Sequence, residues 1–447
     1  MSSSTPSVSL LSLCLLVLAA PLFPASTASA AESPMHDVSV SLKYGNPVAN
    51  SLKVRGAWLG DLPSAPVLLD GVALRFSGAY GEGGTGTITL AATGWKVLPD
   101  GKGLKYTDRS GAGGGIRSLL LRPGRNGGPG ALRIVGKGID YDHRAAHTTV
   151  RVAMEIGLDR WCAEVPVEID DGSKLQASGV DAPASCPPDL VVGAGWLEGR
   201  LAHPDVQVID TRASFSGGHI PGAIPLRPDQ LVTTVEGVAW QMMAPEDADD
   251  VLSAIGLRRD ATVVVYGVPP EYDPARVTWS LHYLGHPDVR YLDGGWNAWM
   301  ASGGPVDPGA AVAGAPTTYV ADPIRSGART TGSAVLAALG DPPYDAPQVQ
   351  LVDARSSGEY AAGRIPTASL QPWTANLAGG FLLERGELED LYPGFDHTLP
   401  ASTYCLVGWR ASVSWLAMAW IGFEDLSVYD GSWTEWGAGG FPIESGS

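Results

Sequence analysis

STYCLVGWRASVSWLAMAWIG, residues 402–422, is the stretch on which the reading of the fold turns. An apolar strand through Thr403 and Tyr404 ends at Cys405, and a helix begins within RASVSWLAM, so CLVGWR is a strand-to-helix loop. In a parallel sheet such loops lie outside the carboxyl ends of the strands, where ligands bind. Gly408 lets the backbone curl tightly, and a curled loop aims successive N–H groups inward at the sulfur. The start of the helix points the same way, which favours the ionised, nucleophilic sulfur of Cys405 and asks that it be reachable from solvent. Arg410 adds a permanent charge and a planar fork suited to an oxyanion. On residue type alone a cysteine at a strand end reads as an inert core thiol. Gly408, Arg410 and the lack of an apolar run across the loop turn the reading towards chemistry.

Outward from this loop, helix SAVLAALG and strand VQLVDAR precede it, and strand LSVYDGS with helix WTEWGAGG follows. The same order occurs upstream, as strand VQVIDTR, helix PEDADDVLSAIGL, strand TVVVYG, helix ARVTWSLHYLGH, strand VRYLDGG and helix WNAWMASG. Apolar strands separated by helices imply a parallel sheet covered on both faces. VQVIDTR matches VQLVDAR, HIPGAIPL matches RIPTASLQP, and VRYLDGGWNAWMASGGPV matches LSVYDGSWTEWGAGGFPI. The offset is about 140 residues, which means domain duplication and not a solenoid of short repeats. In the first copy VVVYG runs into VPPEYDPAR without a cysteine, and Gly267 stands where the thiol would be. Trp296, Trp299, Trp433 and Trp436 recur at equivalent places and read as core, whereas Trp409, inside the loop, reads as a wall of the substrate pocket.

Two linkers rich in Pro, Ala and Gly, ASGVDAPASCPPDL and GGPVDPGAAVAGAP, set off these copies. Ahead of them, from about His36 to Leu175, short alternating segments such as VSVSLKY, TGTITLAA and TTVRVAMEI are separated by turns. That is the pattern of an antiparallel sandwich or barrel. The expected architecture is therefore multidomain: an N-terminal all-β, sandwich-like domain over 31–180, then α/β domains with parallel sheets over 188–305 and 320–447. Residues 9–23 form an apolar run followed by small residues at Ala28, Ser29 and Ala30, so 1–30 reads as a signal peptide. The run is too short to span a bilayer stably, and the mature protein is expected to be exported, periplasmic or extracellular. Loss of Cys14 with the signal leaves Cys162, Cys186 and Cys405; the first two could form a disulfide and leave Cys405 free. The 30 basic and 47 acidic residues, with a formal charge of −17 and no basic run, argue against nucleic acid as a partner. Asp140, His143 and His147 read as a solvated loop, not a metal site, and no metal or organic cofactor is implied.

As a set, the DTR of Asp210 to Arg212 with GHIPGA, the DAR of Asp353 to Arg355 with Glu359 and Tyr360, the C-x2-G-x-R loop and the YLDGGW and YDGSW closures resemble a tandem-domain rhodanese, a thiosulfate or 3-mercaptopyruvate sulfurtransferase. The resemblance spans roughly residues 188 to 445. It implies an inactive first domain and a catalytic second one, in which Cys405 takes the outer sulfur of a donor, forms a persulfide and passes the sulfur to cyanide or another thiophilic acceptor. The amides of Leu406, Val407, Gly408, Trp409, Arg410 and Ala411 would hold the persulfide, Arg410 would orient the donor, and Asp353 and Arg355 would support the loop. Arg364 and Thr367 stand where that family usually has His and Gly. A Cys-dependent phosphatase is disfavoured, because four residues and not five separate Cys405 from Arg410; a non-catalytic scaffold is the other alternative.

Overall fold

The computed structural model describes residues 32–43, 51–58, 72–78, parts of 83–179, and 189–446 apart from 216. The expected signal segment lies outside the described residues, as do Cys186, Asp140 and His147.

The N-terminal region is built from strands β1 (Glu32–Lys43), β2 (Ser51–Trp58), β3 (Val72–Gly78), β4 (Gly83–Gly84), β5 (Ile88–Leu90), β6 (Trp95–Leu98) and β7 (Gly103–Thr107). These are followed by β8 (Ile116–Arg122), β9 (Gly130–Lys137), β10 (Asp142–His143), β11 (Thr149–Ile156), β12 (Asp159–Asp170) and β13 (Lys174–Gly179). They pair in the order β10-β4-β3-β11-β12-β13-β1-β2-β9-β8-β7-β6, with β5 on β3. The long strands β1 and β12, 12 residues each, take different neighbours at their two ends, which folds the sheet over on itself. Alternation then decides what is enclosed: β9 buries Leu132 and Ile134 while Arg133 and Lys137 face out. Met35, Val54, Phe76, Leu119, Ile134 and Val152 belong to the enclosed core. Cys162, in β12, is disulfide-bonded.

The next unit runs β14 (Val191–Val192), α1 (Ala194–Glu198), β15 (Val206–Asp210), β16 (Ile224–Pro225), β17 (Val232–Val235), β18 (Val238–Met242), α2 (Pro245–Ala254), β19 (Thr262–Tyr266), α3 (Asp273–Tyr283), β20 (Asp288–Leu292) and α4 (Gly295–Ser302). The last opens with β21 (Arg329–Thr330), α5 (Gly332–Leu339), β22 (Gln350–Asp353), α6 (Ser357–Ala362), β23 (Ser369–Leu370), β24 (Leu377–Ala378) and β25 (Phe381–Leu382). It closes with α7 (Arg385–Leu391), β26 (Ala401–Tyr404), α8 (Ala411–Ile421), β27 (Leu426–Tyr429) and α9 (Ser432–Ala438). The sheets are β14-β20-β19-β15-β16 and β21-β27-β26-β22-β23, the same strand order twice, with every pairing parallel. The central strands β19 and β26 are buried along their whole length, as strands covered on both faces must be.

Two short hairpins, β17–β18 and β24–β25, each cross to the opposite α/β unit. The Met242 amide donates to Asp430 Oδ2 at 2.7 Å, and the Leu382 amide donates to Asp293 Oδ1 at 2.9 Å. The two units thus clasp each other through equivalent residues, and one apolar cluster runs from Ile209 and Val265 through to Val352 and Val428. The β-rich region joins the first unit through a buried group of charges. Arg290 bridges Glu155 and Asp288, Arg160 reaches Asp288 at 3.0 Å, Arg200 approaches Glu155 at 3.4 Å, and the Trp196 indole donates to Glu155 at 2.8 Å. Burial works against ionisation of Asp288, yet Arg290, then Arg160 and the Thr262 hydroxyl, hold it down to about 2.

Candidate active site

Cys405 follows the last residue of β26, and α8 begins six residues later at Ala411. Two features turn the chain between them. Gly408 has φ +81°, and a Cβ there would lie 2.8 Å from Asp430 Oδ1 and 3.0 Å from Arg276 Nη1, so only glycine fits. Ser432, at φ +52°, accepts the Cys405 amide on its hydroxyl oxygen at 3.1 Å and donates that hydroxyl to the Tyr429 carbonyl at 2.7 Å. The loop carbonyls are held as well: Cys405 O accepts from Trp433 N, Leu406 O from the amide and hydroxyl of Thr434, and Gly408 O from Ser412 Oγ. Among the described residues, none of the N–H groups from Leu406 to Ala411 has a protein acceptor, and no side chain caps the N-terminus of α8. A pinned loop with unclaimed amides at a helix start is an anion-binding arrangement. Leu406 is exposed at its tip, Val407 and Trp409 are half-buried, and Ala411 is buried as the first residue of α8.

Beneath the loop, Arg355 donates from Nε to Asp353 Oδ1 at 2.9 Å and from Nη2 to Asp353 Oδ2 and the Gly363 carbonyl at 2.6 and 2.7 Å. The Tyr404 hydroxyl donates to Asp353 Oδ2 at 2.7 Å and accepts the Ile365 amide at 3.2 Å. Burial, then Asp353, raises the Tyr404 phenol above its ordinary value, so it stays a donor. The first copy repeats each contact with Arg212, Asp210, the Gly218 carbonyl, Tyr266 and the Ile220 amide. There Gly267 follows the tyrosine, and its carbonyl accepts from Trp296 as that of Cys405 does from Trp433. Asp353 and Arg355 are therefore buried framework under Cys405. Thr367 has φ +67°, matching Gly222 at φ +73° in the first copy, so the turn keeps its shape at the cost of a left-handed threonine. Arg364 pairs with Glu444.

Two expectations need correction. The Cys405 side chain is fully buried, not open to solvent. It sits in the apolar cluster with Val352, Ala411 and Leu416, and Tyr272 and Trp373 pack against that cluster. Rings of the first unit reach the loop: Trp240, from its hairpin, meets the Trp409 ring edge-on at 5.5 Å, and Tyr272 contacts Trp409 and Trp373 at 6.2 and 5.6 Å. The second correction concerns Arg410, whose Nη1 and Nη2 are both engaged by Glu359 at 2.9 and 2.8 Å and are not left as an open fork. The Arg410 hydrogen bonds bring Glu359 down to about 2; Glu359 first, opposed by burial, and then the adjacent Cys405 raise Arg410. The sequence reading missed Ser432, Trp240, Tyr272 and Trp373. Only Ser432 left a signal, as a serine where the repeat has Gly295, at φ +50°. Among the described residues Cys405 is the free cysteine.

A family profile described as Rhodanese-like domain matches residues 193–302 and 336–438. A thiosulfate sulfurtransferase of Corynebacterium glutamicum is 31% identical over 283 residues, which is 58% of this chain and 91% of that one. The putative thiosulfate sulfurtransferase SseA of Mycobacterium leprae is 32% identical over 274 residues, 56% of this chain and 88% of its own. Among solved structures, that of YnjE is 26% identical over 58% of this chain and 68% of its own, with a TM-score of 0.50. With two matched repeats and relatives alike over most of their length, the chain belongs to the rhodanese family of sulfurtransferases, and a β-rich region precedes the repeats.

Proposed function

We propose that this protein moves a sulfane sulfur from thiosulfate, or a similar donor, to a thiophilic acceptor such as cyanide through a persulfide on Cys405. One observation carries the reading: a free thiol at the head of a loop whose amides, from Leu406 to Ala411, have no acceptor in the described protein and lead into an uncapped helix start. The Cys405 thiolate attacks the outer sulfur of thiosulfate, the bond between the two donor sulfurs breaks, and its electron pair leaves on sulfite. Cyanide then attacks the outer sulfur of the persulfide, thiocyanate departs, and the electron pair of the broken bond restores the thiolate. No net oxidation occurs, and each intermediate is an anion facing the loop amides.

Because Glu359 holds both Nη atoms of Arg410, that side chain presents no open fork to the donor's oxyanion, and its interaction with the adjacent Cys405 is the role we assign to it. Entry of a donor requires a local opening, since the thiol is fully buried, and the contact of the Trp240 ring with Trp409 of the same loop makes that ring pair the gate we propose. The copy with Gly267 is non-catalytic and acts through its hairpin and Tyr272 as one wall of the site. Export to an oxidising compartment is part of the proposal, supported by the disulfide at Cys162. Thiocyanate release should be measured with thiosulfate, mercaptopyruvate and thiosulfonates on the wild type and on Cys405→Ala. Turnover with thiosulfate that vanishes in the variant supports the reading. Undiminished turnover by Cys405→Ala would remove it, and no turnover with any donor would favour a scaffold.

A further inference from the structure

The β-rich region carries a charge pattern that sulfur transfer does not use. Register sets Arg55 of β2 opposite Arg133 of β9, Arg133 opposite Leu120 of β8, Leu120 opposite Lys105 of β7, and Lys105 opposite Lys96 of β6. Four cations and a leucine thus form one row perpendicular to the strands, about 19 Å long at the ~4.8 Å spacing of paired strands. Lys53, Lys137 and Arg122 on the same strands broaden it. All seven cations are exposed, while Val54, Leu104, Leu119, Leu121, Leu132 and Ile134 point the other way into the core. Strands β2, β6, β7, β8 and β9 contain no Asp or Glu, in a chain whose formal charge is −17. Among the described residues, none of the seven makes an ion pair or a side-chain hydrogen bond. The amino-acid sequence hides this face, because its cations are scattered over residues 53–137 and only strand pairing assembles them.

Two neighbouring pairs in the row, Arg55 with Arg133 and Lys96 with Lys105, set like charges directly across paired strands. Such pairs destabilise a sheet unless something negative lies over them. The shape narrows what that can be. Paired strands turn by roughly 20–25° each, so the row winds over its length, and a planar bilayer could meet only part of it. A flexible linear polyanion can follow the whole row. Among the described residues, the outward side chains on these strands, Ala131, Val135, Ser118, Leu120 and Thr107 among them, include no aromatic ring for stacking bases, since Tyr106 is buried and Trp95 packs against the core, which disfavours single-stranded nucleic acid. Arg55 and Arg133 present guanidinium forks whose geometry matches phosphate oxygens.

We propose that this face docks a linear, flexible phosphate polymer, with successive phosphates laid along the row from Arg55 to Lys96. The test is fluorescence anisotropy of labelled long-chain inorganic polyphosphate with the full chain. Binding is expected, with log affinity falling linearly against log salt by about 0.7 for each phosphate engaged, hence a slope near −3 for the four row cations. The variant Arg55→Gln/Lys96→Gln/Lys105→Gln/Arg133→Gln should bind more than about ten-fold more weakly with a flattened salt slope. It should also keep or raise the melting temperature, because like-charge pairs are removed. Orthophosphate at equal phosphate concentration should not compete. Wild-type affinity in the folded variant would overturn the proposal. So would tighter binding to anionic phospholipid vesicles, single-stranded DNA or polyglutamate than to polyphosphate.

Discussion

Tyr404 offers a controlled perturbation, because the same side chain with the same partners stands in a copy that has no thiol. Tyr404→Phe removes one hydrogen bond to the buried Asp353 carboxylate and strands the Ile365 amide. A bond to a charged acceptor contributes about 1.5–3 kcal/mol, and a stranded buried donor costs about 1–3 kcal/mol, so a loss of about 3 kcal/mol is expected. For a unit of 150–250 residues that is a drop of roughly 6–12 °C in melting temperature. Tyr266→Phe breaks the equivalent contacts with Asp210 and Ile220 and should cost a similar amount. The two variants should part in activity. Tyr404 fixes the strand end that Cys405 continues, so kcat/KM for thiosulfate should fall about ten-fold, equivalent to about 1.4 kcal/mol in the barrier. Tyr266 is continued by Gly267, and its variant should keep wild-type kcat/KM below its melting temperature. Thermal melts and steady-state thiocyanate formation read both quantities. Equal loss of activity in the two variants would refute the assignment of roles, as would a Tyr404→Phe enzyme with wild-type melting and rate.

Thr367→Gly should raise stability by about 1 kcal/mol, because it relieves a β-branched residue at φ +67° in a turn the first copy makes with glycine; a lower denaturation midpoint would contradict this. Trp240→Ala should speed alkylation of Cys405 by iodoacetamide several-fold, since it removes the ring packed against Trp409 of the loop that holds the buried thiol, and an unchanged rate would show that this ring pair does not control access. Burial lowers His286 to about 4 and His282 to about 3. Unfolded histidines take up protons near 6.5 while these two stay neutral in the fold, so their contribution is intact above pH 6.5 and stability falls as pH drops towards 4. The slope should approach about 2–3 kcal/mol per pH unit at its steepest; a denaturant midpoint unchanged between pH 7.5 and 5 would contradict it.

Much of the α/β half was legible because its signals are local. Apolar runs such as TVVVY became fully buried strands, and the position of Cys405 between a strand and a helix follows from a handful of residues. The repeat doubled that information, since each motif vouched for its twin. Local signals say nothing of docking. Hairpin β17–β18 looks like an ordinary connection in sequence, yet it carries Trp240, exposed and at φ +69°, to the mouth of the other domain's site. Cys405, which the sequence left facing solvent, is buried in an apolar cluster that runs through both units. Arg410 misled for a related reason. An arginine next to a nucleophile suits an oxyanion, and only the placement of α6, with its Ser356 and Glu359 capping box, brings Glu359 against it. The basic row of the β-rich region was invisible because register, not order in the chain, creates it.

Intact-protein mass spectrometry after incubation with thiosulfate, in the absence of any acceptor, tests the central claim most directly. The account predicts a gain of one sulfur atom on the wild type, mapped to Cys405, reversed by cyanide and absent from Cys405→Ser. A wild-type mass that never changes, or an adduct that persists in Cys405→Ser, would contradict it.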